Sequence, residues 1–248
     1  MYSYLKFHWA AVASTAMVIF AGFALILPLY LRLPSKEAPQ QTMLVFSILD
    51  TNNVTEYCKS LSSTLRRLDV NATVFFSGKV AEQYREAVTC FGENIDIGSQ
   101  TYSYVNLTDI SDYTIQLEEV GKGKAAVDEA GNLYSRLFKA PYYTVDQNIY
   151  SLLSRSDIIA DFSYENHYNL YRNGEFLWFE ATVFNGSDYS AEFFLDLPKT
   201  QQPLIINFDN TQSVSFIDNF LSELLKGSIE FVSPSRIANA ALTIRGGQ

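Results

Sequence analysis

Short apolar runs alternate with segments of helical spacing along most of this chain, and that alternation restricts its fold more than any other feature. Residues 43–49 (MLVFSIL) have the character of a buried strand, and Val54, Tyr57, Leu61, Leu65 and Leu68 follow at helical intervals. Residues 72–76 form a second β-rich run, with a helix expected over 80–89 and a third strand over 95–98. A long helix is expected over 111–130 despite Gly121 and Gly123. A strand at 136–140, a helix at 147–155 and a strand at 158–162 come next, and the pattern closes with 204–208, 214–226 and 229–232. Strands and helices in this order imply an α/β fold with a mainly parallel sheet and right-handed crossovers. Residues 168–197 interrupt the order. They lack helical period, and with Asn173-Gly174 and Asn185-Gly186 as turn signals they read as a hairpin or long excursion.

Residues 9–31 carry no charge and would extend about 35 Å as a helix, enough to cross a hydrocarbon layer of about 30 Å. The chain is therefore read as a short tail (1–8), one transmembrane helix (9–31), a polar linker (32–42) and a folded domain (43–248), with membrane lipid a partner of the helix. A cleaved signal peptide is the rival reading, opposed by the length of the run and the poor cleavage site at Glu37-Ala38-Pro39. Lys6, Arg32 and Lys36 flank the run almost evenly, so they do not orient it. Two cysteines, Cys58 and Cys90, and Asn-x-Ser/Thr acceptors at Asn53, Asn71, Asn106 and Asn185 favour an extracytoplasmic domain carrying N-linked glycans. A Cys58–Cys90 disulfide would stabilise by roughly 3 to 4 kcal/mol; two buried thiols are the alternative. With 48% hydrophobic and 15% aromatic residues the domain can bury a substantial core. The net charge of −9 argues against nucleic acid and polyanionic ligands, leaving neutral glycans or membrane-protein partners.

Parallel α/β folds build their sites from residues just beyond the carboxyl ends of the strands. Here these are Asp50, residues 100–104, 139–143 and 161–165, and residues 207–209. The sequence Ser47-Ile48-Leu49-Asp50-Thr51-Asn52 resembles the Thr-Phe-Asp-Asp-Gly-Pro motif of the polysaccharide deacetylase (NodB homology, carbohydrate esterase family 4) domain. Gly98-Ser99-Gln100-Thr101-Tyr102-Ser103-Tyr104 is similar to its His-x-x-x-His segment. Lys139-Ala140-Pro141-Tyr142-Tyr143 is similar to Arg-Pro-Pro-Tyr-Gly, and Asn207-Phe208-Asp209 to Leu-His-Asp. Residues 71–78 look like the family's second strand. The resemblance implies a distorted (β/α) barrel. In the family, that barrel holds a divalent metal, usually zinc, through an aspartate and two histidines, and it removes acetyl groups from N-acetylated sugars.

Carried over residue by residue, the resemblance retains Asp50 as the metal-binding aspartate and Tyr142 as the donor of an oxyanion-binding backbone N–H. It places Leu49 at the catalytic base, Gln100 and Tyr104 at the two histidine ligands, and Phe208 at the general acid. Hydrolysis needs a Lewis-acidic metal, a base and an acid. The expectation is therefore a catalytically inactive domain without cofactor, acting in envelope scaffolding, protein association or glycan binding. The alternative is an active, atypical deacetylase in which zinc or another divalent metal is held by Asp50, Asp96, Glu165, His167 and Asp209. The chain's histidines are His8 and His167 alone, so a His-rich site is excluded. A phosphate loop, a Gly-x-Ser-x-Gly elbow and a His-Glu-x-x-His motif are absent from the sequence. What remains of the site is an aromatic and amide-bearing surface: Gln100, Tyr102, Tyr104, Tyr142, Tyr143 and Phe208, with Lys139, Pro141 and Asp209 beside it. It is read either as a glycan groove or as a pocket plugged by Leu49, Tyr104 and Phe208. Glycans at Asn53 and Asn106 would crowd the same mouth.

Overall fold

The computed structural model describes residues 38–145, 147–172 and 175–234. The expected tail, transmembrane helix and residues 32–37 of the linker lie outside them, as does the Asn173-Gly174 turn. No helix of the described residues is long and apolar enough to cross a membrane.

The first strand, β1 (Gln40–Ile48), begins before Met43, so the last three linker residues belong to the sheet. Their polar side chains disguised them in the sequence; that of Gln40 is satisfied, while the buried Thr42 hydroxyl has no hydrogen-bond partner among the described residues. The Gln40 amide donates to the Gln202 carbonyl at 2.8 Å and accepts from the Thr200 N–H at 2.8 Å, while Gln40 pairs in register with Ile229. After α1 (Val54–Arg67) and β2 (Ala72–Phe76), the helix expected over 80–89 is broken into α2 (Gly78–Gln83) and α3 (Arg85–Thr89). The break is at Tyr84, whose φ of −125° and ψ of 57° leave the helical region. The strand β3 (Ile95–Ser99) leads through the opening loop of the site to α4 (Tyr113–Gly131). Then come β4 (Leu137–Phe138), α5 (Gln147–Arg155) and β5 (Ala160–Asp161), both strands shorter than expected.

Residues 168–197 resolve into β6 (His167–Arg172) and β7 (Glu175–Glu180), an antiparallel pair, then β8 (Thr182–Asn185) and a short helix α6 (Ala191–Asp196) that the sequence reading had not anticipated. Ser190 starts this helix by accepting from the Phe193 N–H. The chain ends its described course with β9 (Leu204–Asp209), α7 (Val214–Leu224) and β10 (Ile229–Phe231).

The strands form one sheet in the order β7-β6-β5-β4-β3-β2-β1-β9-β8, with β10 also on β1. All pairings are parallel except β5–β6 and β6–β7. The two ends of the path, β7 and β8, are consecutive in the chain with Ala181 alone between them, so the sheet must curl on itself into an incomplete barrel. Period-two alternation then separates an inside from an outside. On β1, Met43 and Val45 join Phe75, Leu137, Ala160, Phe162, Tyr168, Leu170 and Ile205 in the barrel interior. Leu44, Phe46 and Ile48 face the helices instead, packing with Val54, Leu61, Leu65, Ile217, Leu221 and Leu224 of α1 and α7. Gly98 fits this interior because a Cβ there would meet the Phe75 ring at 2.2 Å.

Candidate functional site

Continuing the inward series past Val45 reaches Ser47, which the sequence reading passed over although its place two residues beyond Val45 marks it as inward. Ser47 is buried, and its Oγ accepts from the Lys139 ammonium at 2.9 Å and from the Gln100 side-chain amide at 3.3 Å. Asp209 is the residue opposite Ser47 in the β1–β9 register. Four strand ends thus bring Ser47, Gln100, Lys139 and Asp209 to one level above the apolar interior. Gln100 is fully buried, and its Oε1 has no protein partner. Lys139 is 6% exposed. Burial pushes its pKa down to about 8 against the opposing pull of the Asp209 carboxylate, and the ammonium sits 4.5 Å over the Tyr143 ring.

Outside this buried layer the mouth is tyrosine. The rings of Tyr104 and Tyr142 meet edge to face with centroids 5.5 Å apart. Burial, with Tyr142 and Asp209 adding to it, pushes the Tyr104 phenol up to about 12. Burial likewise moves Tyr143 to about 12, helped by Tyr104, Glu165 and Asp209. Tyr104, Tyr142 and Tyr143 all have left-handed backbone, with φ of 59°, 61° and 55°. Such dihedrals cost on the order of 1 to 3 kcal/mol for a residue with a side chain and concentrate at functional sites. The pair Tyr104 and Tyr142, with Val105, Asn106, Asp109 and Ile110, lines an open groove of about 690 Å³.

The loop that carries Gln100 to Tyr104 is held from both sides. Glu119 of α4 accepts from the Ser103 N–H at 2.9 Å and from its hydroxyl at 2.7 Å, and the Glu119 carbonyl accepts from the Tyr102 N–H. Gly123 makes this approach feasible: a Cβ there would stand 2.3 Å from the Gln100 carbonyl oxygen, which is backbone and cannot rotate away. Gly123→Ala is accordingly expected to lower stability by about 2 kcal/mol. Thermal unfolding with an unchanged midpoint would contradict the close packing of α4 on the loop.

Several expectations are corrected. Phe208 does not face the mouth. It pairs with Phe46 in register and stacks on it at 5.5 Å in the helix-facing layer, with Phe220 at 5.3 Å, so it plugs nothing. Period-two alternation assigns the inward place to Asp209. Leu49 is half-buried, and its N–H and carbonyl are both bonded to the Asn210 side chain, at 2.8 and 3.0 Å. Asn210, also unforeseen, thereby ties the ends of β1 and β9 together. Asp50 is exposed and accepts from Tyr84 rather than from the Gln100 layer. Asp161 lies on the helix side of β5, bonded to Ser163, and burial pushes it up to about 7. His167 opens β6, stacked on Tyr164 at 3.9 Å and edge-on to Trp178. Asp96 is near the opposite end of β3, beside Tyr134 and Arg136. Asp50, Asp96, Glu165, His167 and Asp209 therefore do not converge, and the described residues contain no group of three metal-ligating side chains. A divalent metal does not fit the mouth either. The unpartnered Gln100 Oε1 is a single neutral oxygen, the Tyr104 phenol is held protonated, and a lysine ammonium occupies the layer beneath.

Cys58 and Cys90 are both free thiols, so the anticipated disulfide is not formed in this structure. Burial raises the pKa of each, Cys90 to about 11. Among the acceptor asparagines, Asn71 donates its side-chain N–H to the Phe231 carbonyl at 3.1 Å. Asn106 directs its oxygen to Thr108 and Thr144. Asn185 donates to Asp188, and Asn53, with φ of 69°, precedes α1 on the exposed turn after β1. Pro141 is buried at the start of the turn carrying Tyr142.

A curled, mainly parallel sheet with helices outside and polar side chains gathered at its strand ends defines a distorted (β/α)-barrel domain. The polysaccharide deacetylase family model matches residues 37–158, and over this span the chain is similar to that family. Solved structures share the fold. A family 4 carbohydrate esterase from Streptomyces lividans is 16% identical, with 79% of this chain and 94% of that one covered and a TM-score of 0.55. The peptidoglycan deacetylase PdaC from Bacillus subtilis is 15% identical, with 84% and 94% covered and a TM-score of 0.57. A pseudoenzyme of the same esterase family from Bacillus anthracis is 14% identical, with 77% and 62% covered and a TM-score of 0.54. The search of curated proteins found no match.

Proposed function

We propose that this chain is a membrane-anchored, non-catalytic polysaccharide-deacetylase-like domain that binds carbohydrate in the groove at its barrel mouth. The observation that carries this reading is the Tyr104–Tyr142 pair, held edge to face on strained backbone along an open groove. Tyrosine faces stack on sugar rings while their hydroxyls hydrogen-bond, and a cost in backbone strain is tolerated where the exposed ring is used. Tyr142 is 62% exposed, so its ring is presented to solvent and not spent in the core.

The side chains of the mouth support binding over hydrolysis. Leu49 cannot take a proton from water, and the fixed cation at Lys139 opposes a second cation beside it. Anchoring rests on the uncharged run 9–31, and an extracytoplasmic domain on the acceptor asparagines. The related pseudoenzyme structure supports the view that the barrel persists without turnover.

Titration of the full chain in detergent with amino-sugar oligosaccharides is expected to give saturable binding, weakened at least about fivefold by Tyr142→Ala, since stacked aromatic contacts are worth about 1 kcal/mol or more. Acetate released from an N-acetylglucosamine oligomer by zinc-supplemented protein, and lost in Asp50→Ala, would establish hydrolysis instead.

A further inference from the structure

The charge of the groove is of one sign. Its lining contains Asp109 and neither lysine nor arginine. Asp109 is exposed, and no cationic side chain among the described residues pairs with it. Asp209 lies toward Tyr104 with its charge offset by the Lys139 ammonium, and the exposed Glu165 adds a second carboxylate toward Tyr143. Lys139, over the Tyr143 ring, is buried and donates to Ser47, so it presents no ammonium to a ligand in the groove. Gln100, buried beside it with an unpartnered Oε1, adds an acceptor to the same layer.

We infer that the groove selects oligosaccharides bearing free, protonated amino groups over N-acylated or uronic-acid-bearing ones. This inference rests on the carbohydrate-binding reading and names the ligand class of that same site. A sugar ring stacked on the exposed Tyr142 would bring an ammonium substituent toward Asp109 and over the tyrosine faces. There it gains a charge-assisted contact and a cation–π contact. An N-acetyl group carries no charge and forfeits both. A uronate carboxylate meets Asp109 with like charge and is repelled. One exposed ion pair together with one cation–π contact corresponds to a preference of about tenfold at low salt.

Isothermal titration of the full chain with tetramers of glucosamine, N-acetylglucosamine and galacturonic acid, at low and high salt, tests this. The glucosamine tetramer is expected to bind about tenfold tighter than the N-acetylated one at low salt. That margin should shrink both in high salt and in Asp109→Asn, while Tyr142→Ala weakens both ligands. Equal affinity for the two amino-sugar tetramers, or tighter binding of the N-acetylated or galacturonic one, overturns the charge preference and leaves carbohydrate binding intact. Binding of none of them overturns both readings. A lysine tetrapeptide that binds as tightly as the glucosamine tetramer would assign the surface to cationic peptides and overturn the inference.

Discussion

Replacing Phe208 by alanine is expected to lower the unfolding free energy by about 3 to 5 kcal/mol, the range for deleting a buried aromatic ring. The ring is 2% exposed, stacks on Phe46 and touches Phe220, and it lies against Gly186, where a Cβ would come within 2.2 Å of it. The cavity would open between β9, β1 and α7, three elements that hold the sheet to its outer layer. Phe208→His should also destabilise. It puts an imidazole in the helix-facing layer rather than at the mouth, so it would not supply a proton donor to a bound ligand. Urea unfolding followed by circular dichroism gives the stability, and a shift below about 1 kcal/mol for the alanine variant would contradict the placement of the ring.

Lys139→Met should do the opposite. The ammonium is buried, and burial holds its pKa near 8, below the ordinary lysine value, so the folded state binds it as a cation at a cost. The sign follows from proton counting. Between pH 8 and the unfolded value of about 10.4 the unfolded chain carries more of this proton than the native one, so this group's contribution makes stability rise with pH. Below pH 8 the cost is fully present. The methionine variant, which keeps the aliphatic volume, is therefore expected to exceed the wild type by about 2 to 3 kcal/mol at pH 7. The advantage should decline as pH rises from 8 toward 10. Loss of the Ser47 bond and of the Asp209 attraction works against the gain and keeps it from being larger. A difference between the two proteins that does not change with pH in this window would refute the assignment. So would a methionine variant less stable than the wild type at pH 7.

A lysine retained at such a cost invites a structural reason, and the layer it occupies supplies one. Ser47, Gln100 and Lys139 form a bonded set that closes the top of the barrel interior, with Asp209 beside it. The mouth is thus filled from below by hydrogen bonds rather than plugged by apolar side chains. The groove beside it stays open along Tyr104 and Tyr142.

The linear order of strands and helices was legible because each buried strand needs a continuous apolar run and each surface helix a spaced one. Residues 43–49, 72–76 and 204–208, and the helix face of Val54, Leu61 and Leu65, all declared themselves this way. The family motifs located the strand ends, and with them Gln100, Tyr104, Lys139, Tyr142 and Asp209. Local sequence could not give the start of β1 at Gln40, whose polarity is offset by partners from Thr200 to Ile229 far along the chain. Nor could it give the break at Tyr84 or the strain at three tyrosines, since these depend on what each segment packs against. The facing of Phe208 is the sharpest case. A motif alignment assigns a residue to a position along a strand, whereas the sheet's register assigns it to a side. A shift of one residue exchanges inside for outside. The sequence alone determined which residues stand at the strand ends. The tertiary structure decided which of them share the mouth, because the pleat and the pairing of β9 with β1 turn Asp209 inward and Phe208 away.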